Sequence, residues 1–116
     1  MQKNLTDAFF VELPVNSMRK RIVYTEHISF RLANRALPYR LPEYVIHTAE
    51  RFYLDAVKST YIAVKDVRIG GIVKTFSVAF YDRSDSIALI TIHRLKRNQE
   101  FNRVKTKRWP RIRRKN

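Results

Sequence analysis

The strongest constraint on the fold is a period-two pattern of apolar side chains in the second half of the chain. The pattern runs from residue 60 to 69 and again from 72 to 81, and Gly70 and Gly71 separate the two runs. Two adjacent glycines can both take positive φ, as the tight turn of a β-hairpin requires. A third alternating run, 86–94, follows a polar turn. The sequence therefore predicts a three-stranded antiparallel meander.

The residues before the meander predict a strand and two helices. Residues 19–25 read as a short strand, and Thr25 can cap a helix over 26–36. Pro42 suits the first turn of a second helix, and residues 52–55 favour one more short strand. This order predicts an α+β fold, with N-terminal helices packed on one face of an antiparallel sheet. The last strand is apolar on both faces, so we expect it to be central or covered twice.

Positive charge is concentrated at the C-terminal end. Residues 94–116 hold eleven of the 24 lysines and arginines and one of the ten acidic residues, and so carry +10 of the net charge of +14. Such a concentration attracts polyanions, and Phe101 and Trp109 interleave with it, as in binders of single-stranded nucleic acid. The expected nucleic-acid-binding residues are Arg94, Lys96, Arg97, Arg103, Lys105, Lys107, Arg108, Trp109, Arg111, Arg113, Arg114 and Lys115.

The pattern divides the chain into an N-terminal arm (1–18), an α+β domain (19–97) and a basic tail (98–116) that begins as a helix and then frays. The apolar stretch of the arm, residues 8–11, lies between acidic residues and does not resemble a signal peptide. An alternative role for it is docking to a protein partner. No apolar run approaches the ~18 residues of a membrane span. The absence of cysteine excludes disulfides, and we expect a cytoplasmic protein.

One face of the first predicted helix carries the clearest candidate site. His27, Arg31 and Arg35 recur at helical spacing, opposite the apolar Ile28 and Leu32. An imidazole beside two guanidinium groups can hold a phosphate and move a proton near neutral pH. The ordinary alternative is a solvated basic face.

The end of the last predicted strand carries a second candidate. Strict alternation places Thr91 and His93 on the face that also carries Ile87 and Leu89. Two histidines flanked by arginines suit general acid–base chemistry on a phosphodiester, provided that they converge. The alternative for His93 is a histidine at the rim of the sheet.

No metal or cofactor is expected. Glu43, His47 and Glu50 share a face of the second helix, but this spacing is common on surface helices. The two glycines form no G-x-G pattern, so the chain has no glycine-rich phosphate loop.

Several of these features together resemble a known family. The element order, the H-x3-R-x3-R helix (His27, Arg31, Arg35), the L-P-E-Y-V-I segment (41–46) and the I-T-I-H strand end (90–93) are similar to the RelE/BrnT-like toxins. These belong to the barnase–EndoU–colicin–RelE class of small ribonucleases. The resemblance covers roughly residues 22–96, and the arm and the long basic tail depart from it.

The resemblance implies metal-independent cleavage of RNA, in which the 2′-hydroxyl attacks the adjacent phosphate and a 2′,3′-cyclic phosphate results. It implies that His27 is an acid or base and that Arg31 and Arg35 hold the phosphate. Thr91 and His93 then lie on the active-site strand.

Two functions follow from the sequence. The first is an RNA-binding, toxin-like endoribonuclease, whose basic face an acidic antitoxin neutralises. The second is a non-catalytic protein that binds nucleic acid, on the ribosome or on chromatin, because the charge pattern alone accounts for such binding. The residues do not separate RNA from DNA as the ligand.

Overall fold

The structure, a computed structural model, describes residues 20–112. These residues fold around a six-stranded mixed sheet. Its order is β1-β5-β4-β3-β2-β6, in which β1 runs parallel to β5 and every other neighbouring pair is antiparallel. The elements are β1 (Arg21–Tyr24), α1 (Glu26–Asn34), α2 (Leu41–Thr48), β2 (Arg51–Asp55), β3 (Thr60–Ile69), β4 (Ile72–Asp82), β5 (Ser86–Arg94), α3 (Gln99–Lys105) and β6 (Arg111–Ile112). The predicted α+β class is confirmed, but the sheet is mixed instead of antiparallel throughout, because β1 runs parallel to β5. The predicted arm, residues 1–18, lies outside the described residues.

The meander of β3, β4 and β5 forms as the alternation predicts. Gly70 and Gly71 have φ of 60° and 82°, the positive values that the two central residues of a tight hairpin turn need. β5 lies between β1 and β4, which confirms the expectation that the last strand of the meander is central.

The two predicted helices pack together on one face of the sheet. Thr25 caps α1, because its Oγ1 accepts a hydrogen bond from the backbone N–H of Ile28 at 3.4 Å. The same hydroxyl donates to the carbonyl of Leu89 at 2.8 Å, which ties the start of the helix to β5. Pro42 lies in the first turn of α2, as predicted.

The face beneath α1 and α2, which we call the first face, holds the main core. Helix residues such as Ile28 and Val45 meet strand residues such as Phe52, Phe80 and Leu89, all of them fully buried. This cluster contains only apolar side chains, so burial of apolar surface is its main contribution to stability.

The segment predicted as a basic tail covers the opposite side, which we call the second face. Trp109 and Leu95 pack there against Tyr53, and β6 extends the sheet by pairing with β2. Glu100 of α3 accepts hydrogen bonds from Arg51 Nε at 2.8 Å and from Tyr53 Oη at 2.5 Å. Burial and this carboxylate raise the pKa of Tyr53 to about 12. The described residues 98–112 are thus part of the domain, which corrects the predicted boundary of the tail.

Candidate functional site

A β-bulge decides which way the polar residues of β5 face. The pairing of β5 with β4 shifts register and leaves Ile90 as an extra residue. After the bulge, Ile92 joins Leu89 in the core of the first face, whereas Thr91 and His93 line a cleft on the second face. The prediction that Thr91 and His93 share a face with Leu89 is therefore wrong, because a bulge reverses strict alternation.

The cleft on the second face is a small cavity of about 100 Å³, lined by both polar and apolar side chains. Its floor is built by side chains of three neighbouring strands, and its walls by the turn after β2 and by the segment from α3 to β6. The lining residues are Asp55, Lys58, Thr60, Ile62, Ser77, Ala79, Thr91, His93, Arg103, Arg108 and Trp109.

A buried carboxylate holds one of the wall arginines in place. Asp55 accepts hydrogen bonds from Arg108 Nε at 3.0 Å and Nη2 at 3.3 Å, and from the backbone N–H groups of Val57 and Lys58. Burial alone raises the pKa of Asp55, but the hydrogen bonds from Arg108 and from these N–H groups outweigh it and lower the pKa. Asp55 therefore stays charged at neutral pH and fixes the guanidinium of Arg108 at the cleft.

His93 lies at the exposed mouth of the cleft, where the walls still displace part of the water around its ring. This partial burial lowers the pKa of His93, and the positive charges of Arg31, Arg35, Lys58 and His27 lower it further. His93 is therefore neutral at neutral pH and has a free nitrogen lone pair that can accept a proton.

The polar face of α1 carries the other predicted catalytic residues. His27 and Arg35 are exposed and Arg31 is half-buried, and all three act electrostatically on His93. None of these three α1 residues lines the cleft with His93, so the structure places their charges in its neighbourhood without bringing the side chains into one cavity. α1 starts beside Leu89, where β1 ends and β5 continues past it.

Three buried polar atoms around the cleft lack hydrogen-bond partners among the described residues. They are Thr91 Oγ1, Arg103 Nε and Trp109 Nε1, and all three residues line the cavity. Arg31 Nε on α1 and His47 Nε2 on α2 also lack partners among the described residues. Buried polar atoms are rarely left without partners in a folded protein, so a water molecule or a polar ligand at the cavity would satisfy the three atoms around it.

The predicted nucleic-acid-binding residues divide into three groups in the structure. Exposed cations are Arg94, Lys96, Arg97, Lys105, Lys107 and Arg111. Arg103 and Arg108 are half-buried at the cleft. Arg113, Arg114 and Lys115 lie outside the described residues.

Trp109 does not have the position that a base-stacking role requires. It is only 5% exposed and packs against Tyr53, with ring centroids 5.5 Å apart, while the guanidinium of Arg103 lies 5.8 Å from the centroid of its ring. The interleaving of Trp109 with basic residues is thus a packing feature, and its buried ring offers no surface on which a base can stack, although Trp109 lines the cleft.

The acidic groups on the helices do not form a metal site. Glu43, which shares the predicted α2 face with His47, accepts a hydrogen bond from Tyr24 Oη at 3.0 Å and forms an ion pair with Arg40. Within residues 20–112, no group of three His, Cys, Asp or Glu side chains is arranged to hold a metal ion. None of the helices in this range is long and apolar enough to cross a membrane.

Four polar or charged cleft residues were not predicted from the sequence: Asp55, Lys58, Thr60 and Ser77. Thr60 and Ser77 are polar residues at buried positions of otherwise apolar strands, and this mismatch is the signal that could have identified them. Asp55 and Lys58 look like ordinary residues of a turn, and only the fold brings them to Arg108.

The comparisons give no relative for this arrangement: no protein-family model and no curated protein matches the sequence, and no solved structure matches the fold.

Proposed function

We propose that this protein binds RNA and cleaves it without a metal, at the cleft formed by Thr91 and His93. One observation carries the proposal: a neutral histidine and three buried polar atoms without partners converge in one cavity, beside arginines. Leaving buried polar atoms unpaired costs about 1–3 kcal/mol each. A phosphate group would accept hydrogen bonds from the donors among them, so this cost is consistent with a ligand site.

His93 is suited to act as the general base. In its neutral form it takes the proton from a ribose 2′-hydroxyl, and the oxygen attacks the adjacent phosphorus. The O2′–P bond forms and the P–O5′ bond breaks. His27, when protonated, gives its proton to the departing O5′. The products are a 2′,3′-cyclic phosphate and a 5′-hydroxyl end, and both protons are accounted for.

The surrounding cations supply electrostatic stabilisation. The positive charges of Arg31, Arg35 and Lys58 act on His93 and lower its pKa. Arg103 and Arg108 line the cleft beside His93. Cations preorganised around a phosphate stabilise the negative charge that develops in the transition state. Asp55 contributes by keeping Arg108 in one orientation.

We further propose that the protein is a RelE-like toxin. Its support is the order of a strand, two helices and a meander, together with the His27, Arg31, Arg35 and His93 pattern. An acidic antitoxin is the partner whose charge fits a chain of net charge +14.

The test is cleavage of end-labelled single-stranded RNA in EDTA, with analysis of the new ends. We expect 2′,3′-cyclic phosphate ends from the wild-type protein and cleavage at least ~100-fold slower for His93→Ala, the loss typical of a missing general base. His27→Ala should also slow cleavage. His47→Ala is the matched control, because His47 lies on α2 and does not line the cleft.

Two results would overturn the catalytic proposal. One is RNA that is bound but uncut, which favours the non-catalytic nucleic-acid-binding protein. The other is cleavage that His93→Ala leaves unchanged. Binding of the same RNA by every variant, measured in parallel, ensures that lost cleavage reflects lost chemistry.

A further inference from the structure

Two larger depressions lie beside the cleft, around α3. The near pocket, of about 400 Å³, is lined by Lys96, Arg97, Gln99, Asn102, Arg103 and Thr106. The far pocket, of about 390 Å³, is lined by residues that include Lys74, Arg94 and Phe101. Both volumes fall within the roughly 300–1,000 Å³ that is typical of ligand-binding pockets.

Shared lining residues show that the cleft adjoins the near pocket and that the near pocket adjoins the far one. Arg103 lines both the cleft and the near pocket. Lys96 and Arg97 line both the near and the far pocket. The three depressions therefore follow one another around α3, from His93 to Phe101.

Positive charge follows the same course. Arg94, Lys96 and Arg97 are exposed, and none of the ion pairs formed within residues 20–112 includes them. The far pocket also contains the carboxylate of Glu100, but the Nε of Arg51 lies 2.8 Å from it and compensates its charge. The surface that runs along the cleft and the two pockets is thus suited to binding a chain of phosphates.

An exposed aromatic ring lies at the far end. Phe101 is 64% exposed, and the Nζ of Lys105 lies 6.0 Å from its ring centroid. An exposed aromatic ring beside cations is the kind of platform on which an unpaired base stacks. Phe101 therefore offers what the buried Trp109 cannot.

We propose that the two pockets and the cleft form one path for single-stranded RNA, in which a base stacks on Phe101 while the backbone runs past Arg97 and Arg103 to His93. The path rests on the proposed function because it ends at the proposed cleavage site. Bases in a duplex are already paired and stacked on each other, so a duplex cannot use Phe101 in this way. The path therefore selects single strands.

The experiment measures binding of a fluorescent ten-nucleotide 2′-O-methyl oligouridylate, which lacks the attacking hydroxyl and cannot be cut. Fluorescence anisotropy should show at least about five-fold weaker binding for Phe101→Leu, the loss of one stacked base. Phe101→Tyr keeps an aromatic ring and should bind like the wild type. Phe30→Leu is the matched control, because Phe30 is 69% exposed on α1 and lines none of the three depressions.

A duplex of the same oligonucleotide with its complement tests selectivity. Phe101→Leu should leave duplex binding unchanged. Equal losses for the single strand and the duplex, or tight single-strand binding by Phe101→Leu, would show that Phe101 stacks no base and would overturn the path.

A dinucleotide substrate, uridylyl-(3′→5′)-uridine, separates this proposal from the catalytic one. With its single phosphate in the cleft, the near pocket still lies between this dinucleotide and Phe101, so Phe101→Leu should cleave it at the wild-type rate. If His93 is needed for cleavage but Phe101 is not needed for binding, the path fails and the catalytic site stands. If Phe101 is needed for binding but no variant cuts RNA, the path stands and the catalytic proposal fails.

Discussion

The two faces of the sheet are built on different principles. The first face packs against α1 and α2 through a cluster of fifteen buried apolar residues. The second face has a buried apolar cluster of five, which includes Tyr53 and Trp109. Beside that smaller cluster lie the buried polar residues Asp55, Thr60 and Ser77, and the cleft with His93.

This difference separates the source of stability from the proposed source of function. On the first face the core cluster consists of apolar side chains that gain from leaving water, and the buried polar atoms without partners on that side, Arg31 Nε and His47 Nε2, lie on the covering helices. On the second face several buried polar atoms, such as Thr91 Oγ1 and Arg103 Nε, have no partner within the described residues. A protein keeps such atoms at a cost in stability, and the proposed ligand would satisfy them.

The largest expected effect is loss of a core ring from the first face. Phe80 is fully buried, so Phe80→Ala should lower the free energy of unfolding by about 3–5 kcal/mol. Ser77 is buried on the second face, and Ser77→Ala should change the free energy of unfolding by less than about 1 kcal/mol. Urea unfolding of both variants measures the contrast. Similar losses for the two would mean that the faces do not differ in this way.

The first face could be predicted from the sequence because local patterns determine it. The alternation in β3 and β4, the paired glycines of the hairpin and the Thr25 cap each act over a few residues. Such signals are present in the chain before it folds, and the packing of the helices on the sheet follows from their apolar stripes.

The second face could not be predicted in the same way, because contacts between distant residues create it. The bulge at Ile90 has no mark in the sequence, and it reverses the facing of His93. Asp55 reaches Arg108 across 53 positions of the chain. Trp109 looks like part of a charged tail until α3 folds back over the sheet. The candidate residues of α1 and β5 could be listed from the sequence, but how they lie relative to one another could not be predicted.

A medium effect is expected from Asp55, the buried carboxylate of the second face. Asp55→Asn removes the charge that holds Arg108 and weakens the acceptor for two turn N–H groups. We expect a loss of about 2 kcal/mol at pH 7, less than for a fully buried ion pair, because Arg108 is partly exposed.

The pH dependence of this loss follows from the lowered pKa of Asp55. A carboxyl group whose pKa is lower in the folded protein stabilises the fold above its unfolded value of about 4, and this contribution disappears as the pH falls through the folded pKa. The difference in the free energy of unfolding between wild type and Asp55→Asn, measured by urea unfolding, should therefore decrease from pH 7 to pH 3. Asp85→Asn, in the exposed turn before β5, is the control and should show little change. If this difference stayed the same at every pH, the ion pair with Arg108 would not be the cause of the lost stability.

The smallest expected effect tests whether the cleft keeps unpaired groups for a ligand. Thr91→Val removes a buried hydroxyl that has no partner among the described residues, so stability should stay the same or rise by up to about 1 kcal/mol. Thr25→Val is the matched control. Its hydroxyl caps α1 and donates to Leu89, so its loss should cost about 1 kcal/mol. RNA cleavage should fall in Thr91→Val and persist in Thr25→Val at a temperature where both are folded. If the two variants lost equal stability, Thr91 would have a structural partner, and the cleft would be a second core instead of a site.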